Sequence, residues 1–207
     1  MTKDTFKESA STWDADQGRL NTAKTVARSI EAVFPFKIAN YAMDFGCGTG
    51  LISIELLPLI KNLIAVDLSE AMLNIFRKKI IENNLENIEL YKIKSELDAL
   101  PKHPYDIIIS SMTIHHVKRH TDLLRNFYDL LNENGLLAIA DLVKEQGDFH
   151  SDNTGVYHFG FDATNFEKVL KDIGFHNVSY KIIHTIEKET QKKQIKKFPV
   201  FLISAIK

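Results

Sequence analysis

The amino-acid sequence predicts a doubly wound α/β domain, in which helices cover both faces of a mostly parallel β-sheet. Short apolar strands alternate with amphipathic helices between residues 41 and 174, a pattern that is typical of such a sheet. A glycine-rich turn at residues 46–50 follows the first strand. Two β-rich stretches at 177–186 and 198–206 have no amphipathic helix between them, so at least one of these strands should run antiparallel.

The first half of the chain contains one helix and then two strand-helix units. Apolar residues at positions 20, 23, 27, 30 and 34 recur at helical spacing, and Pro35 closes that helix. A buried strand at 41–45, a helix at 51–60 and a second strand at 63–66 are predicted next. Ser69 is placed to cap the following helix, whose apolar residues at 72, 75, 76 and 80 share one face.

The second half continues the alternation of strands and helices. A less buried strand is predicted at 87–93, and a fully buried strand at 106–110. The helix that follows should end at residues 134–135, Asn-Gly, and another buried strand is predicted at 135–141.

The last helix and the closing strands have their own boundary signals. Thr164 and Glu167 are spaced as a capping box at the start of the helix, and Gly174 should end it. The polar, Lys-rich segment 187–197 is predicted to be a hairpin connection with a solvated charged surface.

Length and composition are those of ordinary globular proteins. The chain has 207 residues, of which 44% are apolar, and this fits a single domain over 1–207. The 26 basic and 27 acidic residues give a formal net charge of −1, which disfavours binding of nucleic acid through a wide basic surface. The lone cysteine, Cys47, excludes an internal disulfide framework and a Cys-rich zinc site.

No targeting or membrane segment is predicted. The first ten residues are polar and mixed in charge, unlike a signal peptide. The longest apolar stretches, 51–60 and 107–114, are shorter than the ~20 residues that a membrane span needs. We therefore expect a cytoplasmic protein without a membrane partner.

The turn after the first strand is the most specific feature of the sequence. It lies in the segment Met43-Asp44-Phe45-Gly46-Cys47-Gly48-Thr49-Gly50. Glycine allows a sharp turn and a close approach of a ligand to the backbone, and ligands of open α/β sheets bind at the carboxyl ends of strands. Asp67 ends the next strand, where its carboxylate can accept hydrogen bonds from both hydroxyls of a ribose. Together, the turn and the carboxylate predict a nucleoside site.

Two residues indicate which nucleoside derivative fits. Leu51 stands where a dinucleotide fingerprint has its third glycine, which disfavours a dinucleotide. Asp44, a buried carboxylate beside the turn, would repel a pyrophosphate and favour a cationic ligand. A ribose-bearing cation such as S-adenosylmethionine satisfies both conditions.

Several segments, taken in order, resemble the class I S-adenosylmethionine-dependent methyltransferases, in their small-molecule branch. These segments are 44–50, 67–69 with Met72, 96–101, 105–117 and 132–138. The resemblance covers residues 40–175 closely. It implies a Rossmann-like sheet of seven strands in the order 3-2-1-4-5-7-6, with an antiparallel C-terminal strand.

The resemblance also implies a cofactor site for S-adenosylmethionine. The residues expected to form this site are Asp44, Gly46, Cys47, Gly48, Gly50, Asp67, Leu68, Met72, Glu96, Leu97, Ser110 and Trp13. Asp67 would hold the ribose hydroxyls, Glu96 would accept from the adenine amine, and Ser110 would offer its backbone to the amino group. The family usually has Asp where Glu96 stands. Cys47 is expected to contribute its backbone and not to act as a nucleophile.

The implied reaction is methyl transfer to O, N, S or C of a small molecule by in-line displacement. Residues 110–113 read Ser-Ser-Met-Thr, where enzymes that methylate nucleic-acid bases have an Asn/Asp-Pro-Pro-aromatic motif, so a nucleic-acid acceptor is disfavoured. Two alternatives remain, a non-catalytic module that binds S-adenosylmethionine or S-adenosylhomocysteine, and a dinucleotide-dependent oxidoreductase. The sequence indicates neither the acceptor atom nor an oligomeric state.

Histidines supply the candidate catalytic residues, because the imidazole titrates near neutral pH. His115 and His116 follow the fourth predicted strand, and His158 lies in the segment after the fifth. Each of them could equally be a packing or capping residue. A metal could also be bound by a cluster of histidines, namely His115, His116, His120, His150 and His158. No metal-binding spacing such as H-E-x-x-H supports this alternative, so no metal site is predicted.

Two segments are candidate lids over the site. Residues 142–163 carry aromatic side chains and histidines that suit a substrate wall. Residues 1–40 form a helical N-terminal cap, in which Trp13 could close over the cofactor and contact its sulfonium through the ring. Packing of Trp13 onto the edge of the sheet is the alternative.

Overall fold

The computed structural model of the chain describes residues 6–35, 37–95 and 98–207. The helices are α1 (Gln17–Glu31), α2 (Leu51–Leu56), α3 (Glu70–Glu82), α4 (His120–Leu130) and α5 (Ala163–Ile173). The strands are β1 (Ala39–Phe45), β2 (Ile60–Asp67), β3 (Ile88–Lys92), β4 (Tyr105–Ser111), β5 (Leu131–Leu142), β6 (His176–Glu189) and β7 (Ile195–Ile206). Short 3₁₀ helices cover Ala10–Ala15, Leu57–Leu59 and Ile114–His116. Glu96 and Leu97, both predicted to contact adenine, lie outside the described residues.

The strands form one seven-stranded sheet in the order β3-β2-β1-β4-β5-β7-β6. Strands β1 to β5 pair in parallel, whereas β7 is antiparallel to β5 and to β6. The order and the reversed β7 confirm the predicted fold. At the carboxyl end of β1, Phe45 pairs with Val66 of β2 and with Ser110 of β4. The winding reverses here, between β1 and β4, and open α/β sheets bind their ligands at such a point.

The central strands are buried because helices cover both faces of the sheet. Alternate residues of β4 show this, since side chains of a strand point to opposite faces. Ile107 and Ile109 pack in the core that includes residues of α1, α2 and α3, whereas Ile108 packs in the core formed with α4 and α5. Strand β3 lies at an edge and is only partly buried, as predicted.

The helix starts follow local hydrogen-bond chemistry. The Ser69 side chain accepts from the backbone N–H of Met72 at 3.3 Å, which confirms it as the cap of α3. The capping box predicted at residue 164 is wrong, because the carboxylate of Asp162 caps α5 by accepting from the N–H of Asn165 at 3.0 Å. Gly174 ends α5 at a φ of +126°, as predicted.

Two helix ends differ from the predicted boundaries. The helix predicted at 51–60 stops at Leu56 and passes into a 3₁₀ turn that contains Pro58, which has no N–H to continue the helix. The helix predicted to reach residues 134–135 ends at Leu130. Leu131 already has extended backbone and pairs with Tyr105 of β4. Strand pairing therefore ends the helix before the helical spacing of its apolar residues would.

Helix α1 contacts α2 and strand β6. Its buried face carries Thr22, Ala23, Val26, Ala27 and Ile30. Within the part of the chain that the structure describes, no helix is both long and apolar enough to cross a membrane.

Candidate functional site

The glycine turn between β1 and α2 holds three glycines with positive φ. A Cβ on Gly46 would lie 2.2 Å from the Thr113 side chain, and one on Gly50 would lie 2.4 Å from the Phe76 ring. Gly48, at a φ of +55°, has nothing within 4 Å of the place where its Cβ would be. Two of the glycines therefore permit close packing inside the protein, while the third presents open backbone to the crevice.

Asp67, the last residue of β2, is held in a fixed orientation. One carboxylate oxygen accepts from the backbone N–H of Gly48 and the other from the N–H of Ser69, both at 2.7 Å. A carboxylate accepts hydrogen bonds, so this oriented group is suited to the hydroxyls of a ribose. Leu68, the next residue, leaves 36% of its surface exposed beside this carboxylate, whereas Met72 is buried under it in α3.

These features fit S-adenosylmethionine at three points of the molecule. A nucleoside needs an acceptor pair for its ribose, and the oriented carboxylate of Asp67 supplies one. It needs an apolar surface for its base, which the exposed Leu68 offers. The amino-acid part of S-adenosylmethionine needs a stretch of backbone that it can approach closely, and Gly48 is such a position.

A second carboxylate, Asp44, lies buried at the start of the turn. The pKa of Asp44 is raised to about 7. Burial is the main cause, the charge of the nearby Asp67 adds to it, and a hydrogen bond from Ser53 acts in the opposite direction. The Ser53 hydroxyl donates to Asp44 at 2.6 Å. Burial, with Asp67 and Asp44 adding to it, also raises the pKa of the Cys47 thiol well above its usual range. A protonated thiol is a poor nucleophile, in agreement with the backbone role expected of Cys47.

The N-terminal segment is tied to the glycine turn through Asp14. One carboxylate oxygen accepts from the Thr49 hydroxyl at 2.6 Å, and the other pairs with the Lys79 ammonium at 2.5 Å. Lys79 also donates to the Thr49 carbonyl oxygen at 2.8 Å. The preceding residue, Trp13, packs under the Arg19 guanidinium, 3.8 Å from the ring centroid. The cation that Trp13 contacts in the structure is therefore Arg19.

A group of histidines lies where β4 and β5 end. His115 is buried, and its Nδ1 is 2.6 Å from a carboxylate oxygen of the fully buried Asp141. Its Nε2 is 3.0 Å from Nε2 of His150, which comes from the segment after β5. Nδ1 of His116 is 2.9 Å from the Gly155 carbonyl oxygen. The segment after β5 thus contacts both histidines that follow β4.

The histidines differ in protonation chemistry and in their neighbours. The pKa of His116 is lowered to about 4 and that of His150 to about 3. Burial is the main cause of both shifts, and the neighbouring histidines contribute in the same direction. His158 belongs to a second pair, 3.2 Å from His120, and its Nε2 is 3.0 Å from the Val117 carbonyl oxygen. This pair lines a cavity of about 420 Å³ between the segment after β5 and α5.

The structure places several predicted cofactor residues at the adjoining carboxyl ends of β1 and β2. The turn residues, Asp67 and Leu68 lie there, and Met72 is buried in α3 with its backbone N–H bound to the Ser69 hydroxyl. Ser110 lies inside β4, paired on both sides, with its hydroxyl donating to the Phe45 carbonyl oxygen at 2.9 Å. Its role toward the cofactor stays a prediction.

Three residues near the site were not predicted for it. Asp14 holds the N-terminal segment, Asp141 orients His115, and His150 contacts His115. Asp141 did carry a sequence signal, since it stands near the carboxyl end of a buried strand, as Asp67 does. Asp14 and His150 lie in the two predicted lid segments, but the contacts they make had no signal, because their partners lie far away in the chain.

Comparison with known proteins agrees with this geometry. A family model described as "Methyltransferase domain" matches residues 43–137. An uncharacterized methyltransferase of Schizosaccharomyces pombe is 31% identical over 150 residues, 65% of this chain and 53% of that protein. The malonyl-[acyl-carrier protein] O-methyltransferase of Bacillus cereus is 28% identical over 126 residues, 58% of this chain and 45% of that protein. The chain thus spans about half the length of these curated relatives.

A solved structure shows the same fold over nearly the whole of this chain. Phosphoethanolamine N-methyltransferase 2 of Haemonchus contortus, in complex with S-adenosyl-L-methionine, superposes with a TM-score of 0.72. The two share 13% sequence identity, and the match covers 99% of this chain and 60% of that one. At this identity the likeness concerns the fold.

Proposed function

We propose that this chain is a class I S-adenosylmethionine-dependent methyltransferase that transfers a methyl group from S-adenosylmethionine to a small-molecule acceptor, which the methyltransferase-domain match over residues 43–137 supports. The observation that carries the proposal is the carboxylate of Asp67, oriented by the N–H groups of Gly48 and Ser69 beside open glycine backbone. S-adenosylmethionine supplies an electrophilic methyl group on a sulfonium, which departs as a neutral thioether.

In the proposal, the residues of the crevice bind and orient the cofactor. Asp67, oriented by the N–H groups of Gly48 and Ser69, accepts from the ribose hydroxyls. Leu68 packs against the base, and the backbone at Gly48 borders the amino-acid part. The negative charge of Asp67 favours a cationic ligand over a pyrophosphate.

Catalysis in the proposal consists mainly of positioning and exclusion of water, because the leaving group is already good. The segment that carries Asp14 closes one side of the glycine turn. Phe6 contacts His116 edge to face, with 5.2 Å between the ring centroids. An acceptor that must lose a proton would find imidazoles at the ends of β4 and β5, where His115, His116 and His158 stay the candidate bases.

A small acceptor is favoured over a macromolecular one for two reasons. The N-terminal segment lies against the turn and against His116, which leaves a confined site. The formal net charge of −1 offers no overall attraction to a polyanion such as nucleic acid.

The proposal treats residues 1–207 as one catalytic domain, with lids at 1–40 and 142–163. The second lid is supported by the contacts of His150 and Gly155 with the histidines after β4. The backbone N–H groups of Tyr157 and His158 also donate to the His115 carbonyl oxygen, at 3.0 Å and 3.1 Å. The proposed location is the cytoplasm, where a single free thiol stays reduced.

Calorimetry with S-adenosylmethionine tests the cofactor part of the proposal. Asp67→Ala should weaken binding by about ten- to a hundredfold, because hydrogen bonds to a charged group are worth ~1.5–3 kcal/mol. Asp129→Ala, at an exposed position of α4, is the matched control and should bind as the unchanged protein does. Equal affinity of Asp67→Ala and the control would refute the ribose assignment.

Incubation with S-adenosylmethionine labelled in its methyl group tests the reaction itself. We expect label to appear in a small, extractable compound when the protein is mixed with a metabolite extract. Label in nucleic acid would refute the small-molecule acceptor. Tight cofactor binding with no transfer to any fraction would point instead to a non-catalytic binding module.

A further inference from the structure

Three histidine side chains meet at the carboxyl ends of β4 and β5. His115 and His116 come from the 3₁₀ helix after β4, and His150 comes from the segment after β5. One ring nitrogen from each lies within 4.8 Å of the other two. We propose that these three imidazoles bind a divalent transition-metal ion of the zinc class.

The spacing of the nitrogens is close to that of a metal site. Zinc–nitrogen bonds are about 2.0–2.1 Å long, so two imidazole nitrogens of a tetrahedral ion lie roughly 3.3 Å apart. Nε2 of His115 and Nε2 of His150 are 3.0 Å apart. The two nitrogens share a hydrogen bond in the structure at nearly the separation of two ligands of one ion, and the proton between them would leave or move to Nδ1 of His150 when an ion binds. A ring nitrogen of His116 lies within 4.8 Å of both.

The opposite nitrogens are anchored in the way that metal-binding histidines usually are. Nδ1 of His115 is 2.6 Å from the Asp141 carboxylate, which can only accept, so this nitrogen carries the proton. Nδ1 of His116 is 2.9 Å from the Gly155 carbonyl oxygen and must donate as well. In the neutral rings, Nε2 of both is then an unprotonated lone pair. A carboxylate or carbonyl partner of this kind fixes the tautomer of metal-binding histidines and raises their basicity.

The donor set selects the class of ion. Imidazole nitrogens suit zinc, copper, iron and nickel, whereas Mg²⁺ and Ca²⁺ prefer oxygen ligands. Asp141 does not compete with the ion, because its oxygens are occupied by His115 and by backbone N–H groups. Three protein ligands leave a fourth tetrahedral position, as in zinc sites that bind a water or a substrate.

A consequence for the reaction rests on the proposed methyl transfer. An acceptor hydroxyl in the fourth position would release its proton to solvent more readily, since a bound divalent ion lowers the pKa of a coordinated O–H group, and its oxygen would take the methyl group as S-adenosylhomocysteine departs. His115 and His116 would then serve as metal ligands and not as bases. The metal site itself does not depend on this consequence, and binding can be measured without any acceptor.

Sequence spacing gave no hint of this site. His115 and His150 are 35 residues apart in the chain, so the ligands do not follow a helical motif. Only the folding of the segment after β5 against the end of β4 brings them together.

Metal analysis of the full chain tests the proposal. After loading with Zn²⁺ and dialysis against metal-free buffer, we expect one ion per chain. Co²⁺ in place of Zn²⁺ should give the intense visible bands of a tetrahedral nitrogen site, and Mg²⁺ should not compete. His150→Gln should lose the ion, and His116→Gln should bind it much more weakly. His176→Gln, at an exposed histidine of β6, is the matched control and should keep the ion.

Two results would overturn the site: only trace metal in the unchanged protein, or equal metal content in all three variants. Circular dichroism of each variant separates loss of metal from loss of fold. Calorimetry with S-adenosylmethionine on metal-free protein keeps the proposals distinct. Cofactor binding without metal binding refutes the metal site alone, and metal binding without cofactor binding refutes the proposed function alone.

Discussion

Three glycines of one turn share a left-handed backbone but lack a side chain for different reasons. Gly46 and Gly50 leave room for Thr113 and for the Phe76 ring, so they serve the packing of the turn. Gly48 borders open space, so the lack of a Cβ there leaves room for a ligand to approach the backbone. Stability and binding can therefore be separated within one motif by single substitutions.

Gly48→Ala should leave the fold intact and remove cofactor binding. A non-glycine residue at a φ of +55° costs ~1–2 kcal/mol of unfolding free energy, and the new methyl group meets no neighbour. The same methyl group would occupy the space proposed for the cofactor. Thermal unfolding and calorimetry with S-adenosylmethionine measure the two effects on one sample.

Gly50→Ala is the contrasting variant. Its Cβ would lie 2.4 Å from the Phe76 ring, so we expect a loss of roughly 2–5 kcal/mol from backbone strain and overpacking together. A Gly48→Ala variant that binds cofactor normally, or that unfolds as readily as Gly50→Ala, would contradict the distinction.

At the level of elements, the site is built from the ends of strands and one N-terminal segment. The 3₁₀ helix Ala10–Ala15 is held to the loop between β1 and α2, and to α3, through the single carboxylate of Asp14. A short 3₁₀ helix has little stability of its own, so its position depends on such contacts. This dependence makes it suited to opening and closing.

Asp14→Ala should loosen the N-terminal segment and weaken cofactor binding by up to about tenfold, since partly exposed ion pairs and hydrogen bonds contribute ~1 kcal/mol. Trp13, the one tryptophan of the chain, reports on the segment directly. Its fluorescence should become more accessible to a soluble quencher in the variant.

Glu8→Ala changes an exposed acidic residue of the same segment and serves as the control. We expect it to leave quenching and affinity unchanged. Identical quenching of Trp13 in Asp14→Ala and Glu8→Ala would show that Asp14 does not hold the segment.

At the level of the whole molecule, a carboxylate in the core of the site links stability to pH. Burial disfavours the charge of Asp44 and raises its pKa from the usual 3.8 to about 7 in the folded chain. Below about pH 4 both states hold the proton. Between pH 4 and 7 the unfolded chain releases it and the folded chain retains it, so stability falls as the pH rises through this range.

Asp44→Asn should remove that fall, because the amide does not titrate and its oxygen can still accept from Ser53. The difference between unchanged protein and variant should grow from pH 4 to pH 8, to the order of 4 kcal/mol at 1.36 kcal/mol per pKa unit. Urea unfolding at several pH values measures it. Asp129→Asn, on the surface of α4, should follow the unchanged protein; parallel curves for all three would refute the raised pKa.

The sequence alone determined the doubly wound sheet, because alternating strands and helices with their apolar faces are local patterns with local causes. Ser69 as a helix cap, the glycine turn and the strand-end Asp67 were predictable for the same reason. Each depends on a few neighbouring residues and on the rule that parallel strands end at one edge. Two element ends were mispredicted: α2 ends at Leu56 because Pro58 cannot continue the helix, and α4 ends at Leu130 because Leu131 already pairs with β4.

Only the tertiary structure decided which distant side chains meet. Asp14 reaches Thr49, His115 meets His150, and Asp141 orients His115 through contacts between residues 26 to 35 positions apart. Such contacts follow from how loops pack against the ends of strands, and loop packing leaves no period in the sequence. The positions of the glycine turn and of Asp67 were therefore predictable from the sequence, because they lie at the ends of regular elements, whereas the contacts of the histidine cluster and of the N-terminal segment emerged only when loops folded over those elements.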